Sequence, residues 1–270
     1  MSLPKHEIFS FDGLVAGLNG LQVEAAFFLF LGLFVWRPIS VSTLKKFFPG
    51  GLKVNLFSVV FDFLFVAPLL VYLISIISQW AGDGVWSFID PGASKEFSWL
   101  MLCVALIFSD FVAYFRHRFE HSKSMWPSHE MHHSDRDMVW ISLYRFHPFN
   151  RVSSSLIDVG VLLAIGFPWS IIVLNGIIRH CYGLLIHARI NWTYGVLGRV
   201  FVSPSMHRWH HVRAGEGVGK NFATLFSVFD QIFGTYYVPG CCFEEVGTEA
   251  PEHDSFFAQL LAPFHLSKYK

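Results

Sequence analysis

Four long apolar stretches run along the chain, at about residues 13–36, 54–79, 97–115 and 156–187. A helix needs about 20 apolar residues to cross the hydrocarbon core of a bilayer, so each of the first three predicts one crossing. The fourth is longer and is interrupted by GFPWS around Pro168, which predicts two helices folded back as a hairpin. The first stretch is long, contains Glu24 and is not followed by a small-residue cleavage pattern. It therefore reads as a retained span and not as a cleaved signal.

The polar loops set sidedness. Residues 37–53 carry Arg37, Lys45, Lys46 and Lys53 and no acid, whereas residues 80–96 carry Asp83, Asp90 and Glu96 against Lys95. Lysine and arginine favour the cytoplasmic side, so 37–53 is expected inside and 80–96 outside. The third span then runs inward, and a hairpin over 156–187 returns the chain to the same side. Every histidine cluster is thereby expected at the cytoplasmic face of an integral membrane protein, whether a bacterial inner membrane or an endoplasmic reticulum.

Composition agrees with a bilayer: 53% of residues are hydrophobic and 15% charged, against about 25% charged in soluble domains. Twenty basic residues balance twenty acidic ones, so nothing suggests a nucleic-acid partner. Four cysteines without framework spacing read as reduced thiols. The fold expected is all-α: an integral-membrane bundle of about four to five hydrophobic helices with a cytoplasmic helical cap carrying a histidine-rich di-metal site.

The chemistry lies in the histidines. The third stretch ends in DFVAYFRHRFEH, placing His117 and His121 at i and i+4 on one helical stripe with Asp110 and Tyr114. HEMHH follows (His129, His132, His133), then RFHPFN (His147), LLIHARIN (His187) and HRWHH (His207, His210, His211). HEMHH fits H-E-x-x-H, the zinc protease signature, but HRWHH repeats only the three histidines and has Arg208 where the glutamate would be. The repeated feature is a three-histidine turn. One zinc takes three or four protein ligands, so the eight histidines of the clusters, raised to ten by His147 and His187, suit two metals. Imidazole alone does not name the metal.

Ligating histidines usually pass their second N–H to a carboxylate or carbonyl, and Asp110 and Asp230 are the candidates for that supporting role. Glu120, Glu130, Asp135 and Asp137 read as solvated helix-surface charges. His6, His180, His253 and His265 have no sequence partners, and GEGVGKN at 215–221 lacks the phosphate-loop spacing.

Taken in order, DFVAYFRHRFEH, HEMHHSDRDMVWISLYRFHPFN, IHARIN and SPSMHRWHHVRAGEGVGKNFATLFSVFDQIFGTYYVP resemble the fatty acid hydroxylase (sterol desaturase) superfamily of integral-membrane di-iron enzymes. The resemblance covers about residues 97–240, and organises the chain as an N-terminal transmembrane region 1–96, a catalytic region 97–240 and a C-terminal tail 241–270. It implies two iron ions, O2 as co-substrate, electrons from a separate electron-transfer protein or small reductant, and hydroxylation or desaturation of an unactivated C–H bond on a sterol-like, fatty-acyl or ether lipid. Its ligand set is His117, His121, His129, His132, His133, His207, His210 and His211, with His187 matching a short H-x-N element here stretched to HARIN. Where relatives commonly carry an acid before NFG or NYG, this chain reads GVGKNFA, so loop contacts to donor or substrate are expected to differ. Two other readings of the same residues are a histidine-rich membrane metal transporter and a membrane zinc hydrolase built on 129–133.

Overall fold

The computed structural model describes residues 51–81, 98–249 and 255–265. The first predicted span and nearly all of the two loops used for sidedness lie outside the described residues. Four candidate spans lie within them, at Leu52–Gln79, Trp99–Glu120, Pro148–Ile165 and Trp169–His187. Among the described residues there is no strand beyond one isolated bridge between Val212 and Val246, so the fold is helical.

The first span joins α1 (Leu52–Phe61) to α2 (Ala67–Ala81) through a π-helical segment, Asp62–Val66. Its cause is local. Pro68 has no N–H to give the carbonyl four residues back, and the register widens just before it, with Ala67 N–H bonding Asp62 O. The third predicted stretch becomes α3 (Ser98–Glu120), extended by one turn to carry its histidine. The fourth divides as GFPWS predicts, into α5 (Pro148–Ile165) and α6 (Trp169–His187). Gly166, at φ +96°, ends α5 and Pro168 starts α6. The sequence placed the start of this hairpin eight residues too late, because Asn150, Arg151 and three serines mask the beginning of α5.

These helices are inverted relative to those of a soluble protein. On α3 an apolar stripe of Leu100, Val104, Ile107, Phe111, Phe115 and Phe119 is exposed, while Ser109, Asp110, Tyr114, His117 and Glu120 are buried. The stripe at i, i+4 spacing suits lipid, and the polar face needs internal partners because hydrocarbon offers none. Leu102, Ala105, Leu162, Leu163, Phe167, Ile171 and Ile172 close the bundle at the hairpin end. At the other end Tyr114, Ile186, Val202, Met206, Phe222 and Ala223 form a floor below two short helices. These are α4 (Trp126–His133) and α7 (Pro204–His210), each with proline in its first turn, α7 being capped by the Ser203 hydroxyl accepting from Met206 N–H at 3.0 Å.

Candidate metal centre

The two short helices meet the lower ends of α3 and α6, and nine histidines converge there in two groups. His117, His121, His129, His133 and His210 form one; His132, His187, His207 and His211 form the other. Within each group one ring nitrogen per residue lies within 4.8 Å of all the rest. Opposite imidazole ligands of a shared ion stand about 4.2 Å apart and adjacent ones about 3.0–3.4 Å. The Nε2 atom of His187 lies 3.3 Å from that of His132 and 3.1 Å from that of His207, which lies 3.2 Å from that of His211.

Each three-histidine turn is shared between the groups. From HEMHH, His129 and His133 enter the first group and His132 the second; from HRWHH, His207 and His211 enter the second and His210 the first. Helical geometry explains the exchange. Residues i and i+4 are about 40° apart around the axis, while i+3 lies about 60° to the other side of i. An i, i+4 pair therefore faces one site while i+3 turns to its neighbour, and two such turns interleave.

Hydrogen bonds fix several tautomers. A carbonyl only accepts, so the protons of His117, His210 and His187 sit on Nδ1, donated to Phe222 O at 2.8 Å, Lys220 O at 2.7 Å and Gly183 O at 2.7 Å. Their Nε2 lone pairs are left for the site. All five Nε2 atoms of the first group are buried without a hydrogen-bond partner among the described residues. Buried polar atoms are rarely left so, and a set of five converging lone pairs is what a soft-to-borderline transition metal binds. Burial, reinforced by the neighbouring rings, holds His121, His132, His133, His207 and His211 well below the ordinary imidazole range, and burial brings His210 to about 3. The rings are neutral at pH 7, the form that ligates. The residues present fit a pair of metal ions.

The supporting carboxylates are placed differently from expectation. Among the described residues neither Asp110 nor Asp230 hydrogen-bonds to a histidine ring. Asp230 accepts from Phe222 N–H at 2.7 Å and Ala223 N–H at 2.9 Å, and Asp110 from Leu225 N–H at 3.1 Å and Phe226 N–H at 2.7 Å. Together they pin 222–226, the segment whose Phe222 carbonyl orients His117. Burial pushes Asp230 up to about 6, which leaves it ionised at pH 7.

Two residues read as solvated charges are buried. Glu120 accepts from Arg116, Asn150 and Ser154 and lies 3.6 Å from His129 Nδ1. Its position three after His117 on the buried stripe was the available signal. Asp135 accepts from Asn55 at 2.9 Å and from Ser142, beside Arg145, whose guanidinium also reaches Asn55, Ser134 and the Gly51 carbonyl. This knot ties the start of α1 to the end of α4. Asp137 stays at the surface, 3.9 Å from Arg189, and Glu130 is half-buried. His147 joins neither group: it caps α5 by accepting from Phe149 N–H and donates to Leu260 O. The four cysteines are free thiols.

A cavity of about 690 Å³ adjoins the site, with His117, His129, His132, His187 and His207 at one end and Leu162, Ile172 and Val173 farther along α5 and α6. Val173 and Ile177, which line it, are 54% and 53% exposed in the first half of α6, so the cavity borders the exposed face of a candidate span.

A model of the fatty acid hydroxylase family matches residues 102–235, which hold all nine histidines and both aspartates. Among curated proteins the chain is 28% identical over 163 residues to the ornithine lipid hydroxylase of Rhizobium tropici, covering 60% of this chain and 49% of that one. It is 28% identical over 152 residues to the alkylglycerol monooxygenase of Caenorhabditis elegans (56% and 29% of the two chains) and 31% identical over 128 residues to that of Homo sapiens (47% and 28%). The chain thus spans about half the length of the first relative and under a third of the other two. No solved structure matches.

Proposed function

From the premise that residues 102–235 belong to the fatty acid hydroxylase family, we propose that the chain is a membrane-bound, O2-dependent di-iron enzyme that hydroxylates an unactivated C–H bond of a lipid. The observation that carries this reading is the convergence of nine histidines, in groups of five and four, at the end of a cavity that runs along candidate membrane spans. His117, His121, His129, His133 and His210 would hold one iron ion, and His132, His187, His207 and His211 the other. When bound, the irons supply activation of O2 and removal of hydrogen from an aliphatic carbon.

The protein's own part is positioning and exclusion. Buried neutral imidazoles present lone pairs in a fixed array, so little reorganisation accompanies metal binding. Asp110 and Asp230, through 222–226, hold His117 in its ligating tautomer. The cavity is of mixed lining. Its apolar part, Leu162, Ile172, Val173 and Ile177, would take an extended chain and keep water from the reacting carbon, while Asp62, Arg116, Arg151 and Asp158 offer charged partners to a polar end of the substrate. The stoichiometry is R–H + O2 + two electrons + two protons giving R–OH + water. The electrons come from a separate electron-transfer protein or a small reductant, and the site faces the cytoplasm.

The relatives' names favour hydroxylation over desaturation, and an acyl or ether lipid over a sterol. Five histidines in one group do not suit a zinc hydrolase, which leaves one position of a three-ligand ion open. A transporter is disfavoured because the histidines form closed groups at span ends instead of lining a path.

The test is mass spectrometry of total lipids from cells making the wild-type protein or His132→Ala, with O2 uptake by iron-loaded protein given a reductant. A lipid gaining one oxygen only in wild-type cells, and unchanged in Glu130→Gln, supports the reading. Its absence, with no lipid-dependent O2 uptake, overturns it.

A further inference from the structure

The contacts around His129 form a chain with one consistent direction. Its Nδ1 lies 3.0 Å from Asn150 Oδ1, and Asn150 Nδ2 donates to Glu120 Oε1 at 2.9 Å. Glu120 Oε1 also accepts from Arg116 at 2.8 Å and Ser154 at 2.7 Å. His129, Asn150 and Glu120 are each no more than 2% exposed, so water does not compete. The other histidines with a fixed tautomer use main-chain carbonyls, which cannot donate. His129 uses a side-chain amide, which by itself can present either an acceptor or a donor to the ring.

We propose that Glu120 is a positioning residue that selects the ligating tautomer of His129 through the orientation of Asn150. A carboxylate held by Arg116 and Ser154 accepts and does not donate. The Asn150 amide must therefore turn its NH2 to Glu120 and its oxygen to His129, and His129 must carry its proton on Nδ1. That leaves the buried, unpartnered Nε2 with its lone pair toward the five-histidine group. If the amide turned over, its NH2 would face Nδ1, the proton would move to Nε2, and the group would lose a ligand. The proposal rests on the reading of these histidines as metal ligands.

The test uses the detergent-solubilised full chain loaded anaerobically with ferrous iron, reading iron per chain and its release to a competing chelator. Glutamine at position 120 can donate to Asn150 and lets the amide turn over. Outer partners of this kind typically carry 10–100-fold in metal affinity, so Glu120→Gln is expected to weaken one class of iron by that factor and leave the other unchanged. Adding Asn150→Asp to Glu120→Gln is expected to restore it, because an aspartate can only accept from His129. Restoration cannot come from the Arg116–Glu120 ion pair, which both variants lack. Wild-type affinity in Glu120→Gln, or no restoration in a monodisperse double variant, overturns the proposal. If Glu120→Gln does not yield monodisperse protein, Asn150→Leu removes the acceptor while keeping Glu120 with Arg116, and unchanged affinity there overturns it equally. Failure of the wild-type chain to bind iron strikes the underlying reading instead.

Discussion

His133 and His211 stack face to face, with ring centroids 4.2 Å apart and planes inclined by 22°. They are the last histidines of the two three-histidine turns, and they belong to different groups. The groups thus share a wall of touching rings, and the ions they hold would be neighbours.

The first prediction concerns stoichiometry. His187 contributes to the four-histidine group alone, and its Nε2 lies within 3.3 Å of two other members. His187→Ala is expected to lower bound iron from about two to about one ion per chain, with the five-histidine ion retained and lipid oxidation abolished. Elemental analysis of the purified protein checks it. An undiminished iron content removes His187 from the ligand set.

How far this site was legible differs by residue. The clustered histidines could be read directly, because i, i+3 and i+4 spacing declares a shared helical turn. His187 is a weaker reading, resting on its place at the end of an apolar helix four residues before Asn191 and on the family's short element, and the same reasoning also counted His147, which joins neither group. The division of each turn between two groups could not be read, because it depends on how α4 and α7 face each other. Glu120 and Asp135 differ from expectation for a related reason: charged residues beside a polar cluster look solvated until the helix packing them is known. Asn150 stands one helical turn after His147, yet it is the asparagine that reaches the histidine group. The hairpin break at Gly166 and Pro168 was legible because both residues act through their own backbone.

The second prediction follows from protonation. His121, His133 and His211 titrate well below 6.5, and His210 at about 3. Between those values and 6.5 the unfolded chain binds more protons than the folded one, so stability rises with pH across that window. Its contribution is complete above about pH 6.5 and is lost progressively as pH falls toward 3. Asp230, raised to about 6, acts in the opposite sense, adding stability as pH falls through 6, but it is one group against several. The unfolding temperature of metal-free protein is expected to fall between about pH 7.5 and about pH 5, and iron to be released over the same range. A midpoint that is flat or rises toward acid contradicts this assignment.

Asp110 gives the third. It is fully buried and serves Arg179 at 3.0 Å, Thr224 at 2.7 Å and two main-chain N–H groups. Asn in its place removes the carboxylate that pairs with Arg179 and sets an NH2 against one of those donors. Breaking such a buried pair from one side costs about 3–5 kcal/mol, so Asp110→Asn is expected to unfold at markedly lower temperature in detergent. Iron binding should weaken with it, since 222–226 carries the carbonyl that orients His117. Unchanged stability would show that the segment is held by other contacts.

The last concerns the cavity. Gly176 lies on α6 between Val173 and Ile177, and a Cβ added there meets nothing within 4 Å. Leucine at this position adds bulk beside the cavity that Gly176 lines, with room at least for its Cβ, and it also favours the helix relative to glycine by about 0.8 kcal/mol. The fold and both ions should therefore survive in Gly176→Leu. A lipid chain entering by this route would lose space equal to several methylenes, and one methylene in an apolar pocket already changes specificity about 10–200-fold. The expected outcome is wild-type iron content and thermal stability with at least about a tenfold loss of lipid oxidation. Reductant-driven O2 consumption in the absence of lipid should be unaltered, because no histidine is touched. Full activity in the leucine variant would mean that substrate reaches the histidines by another path, whereas loss of iron would mean that α6 had shifted.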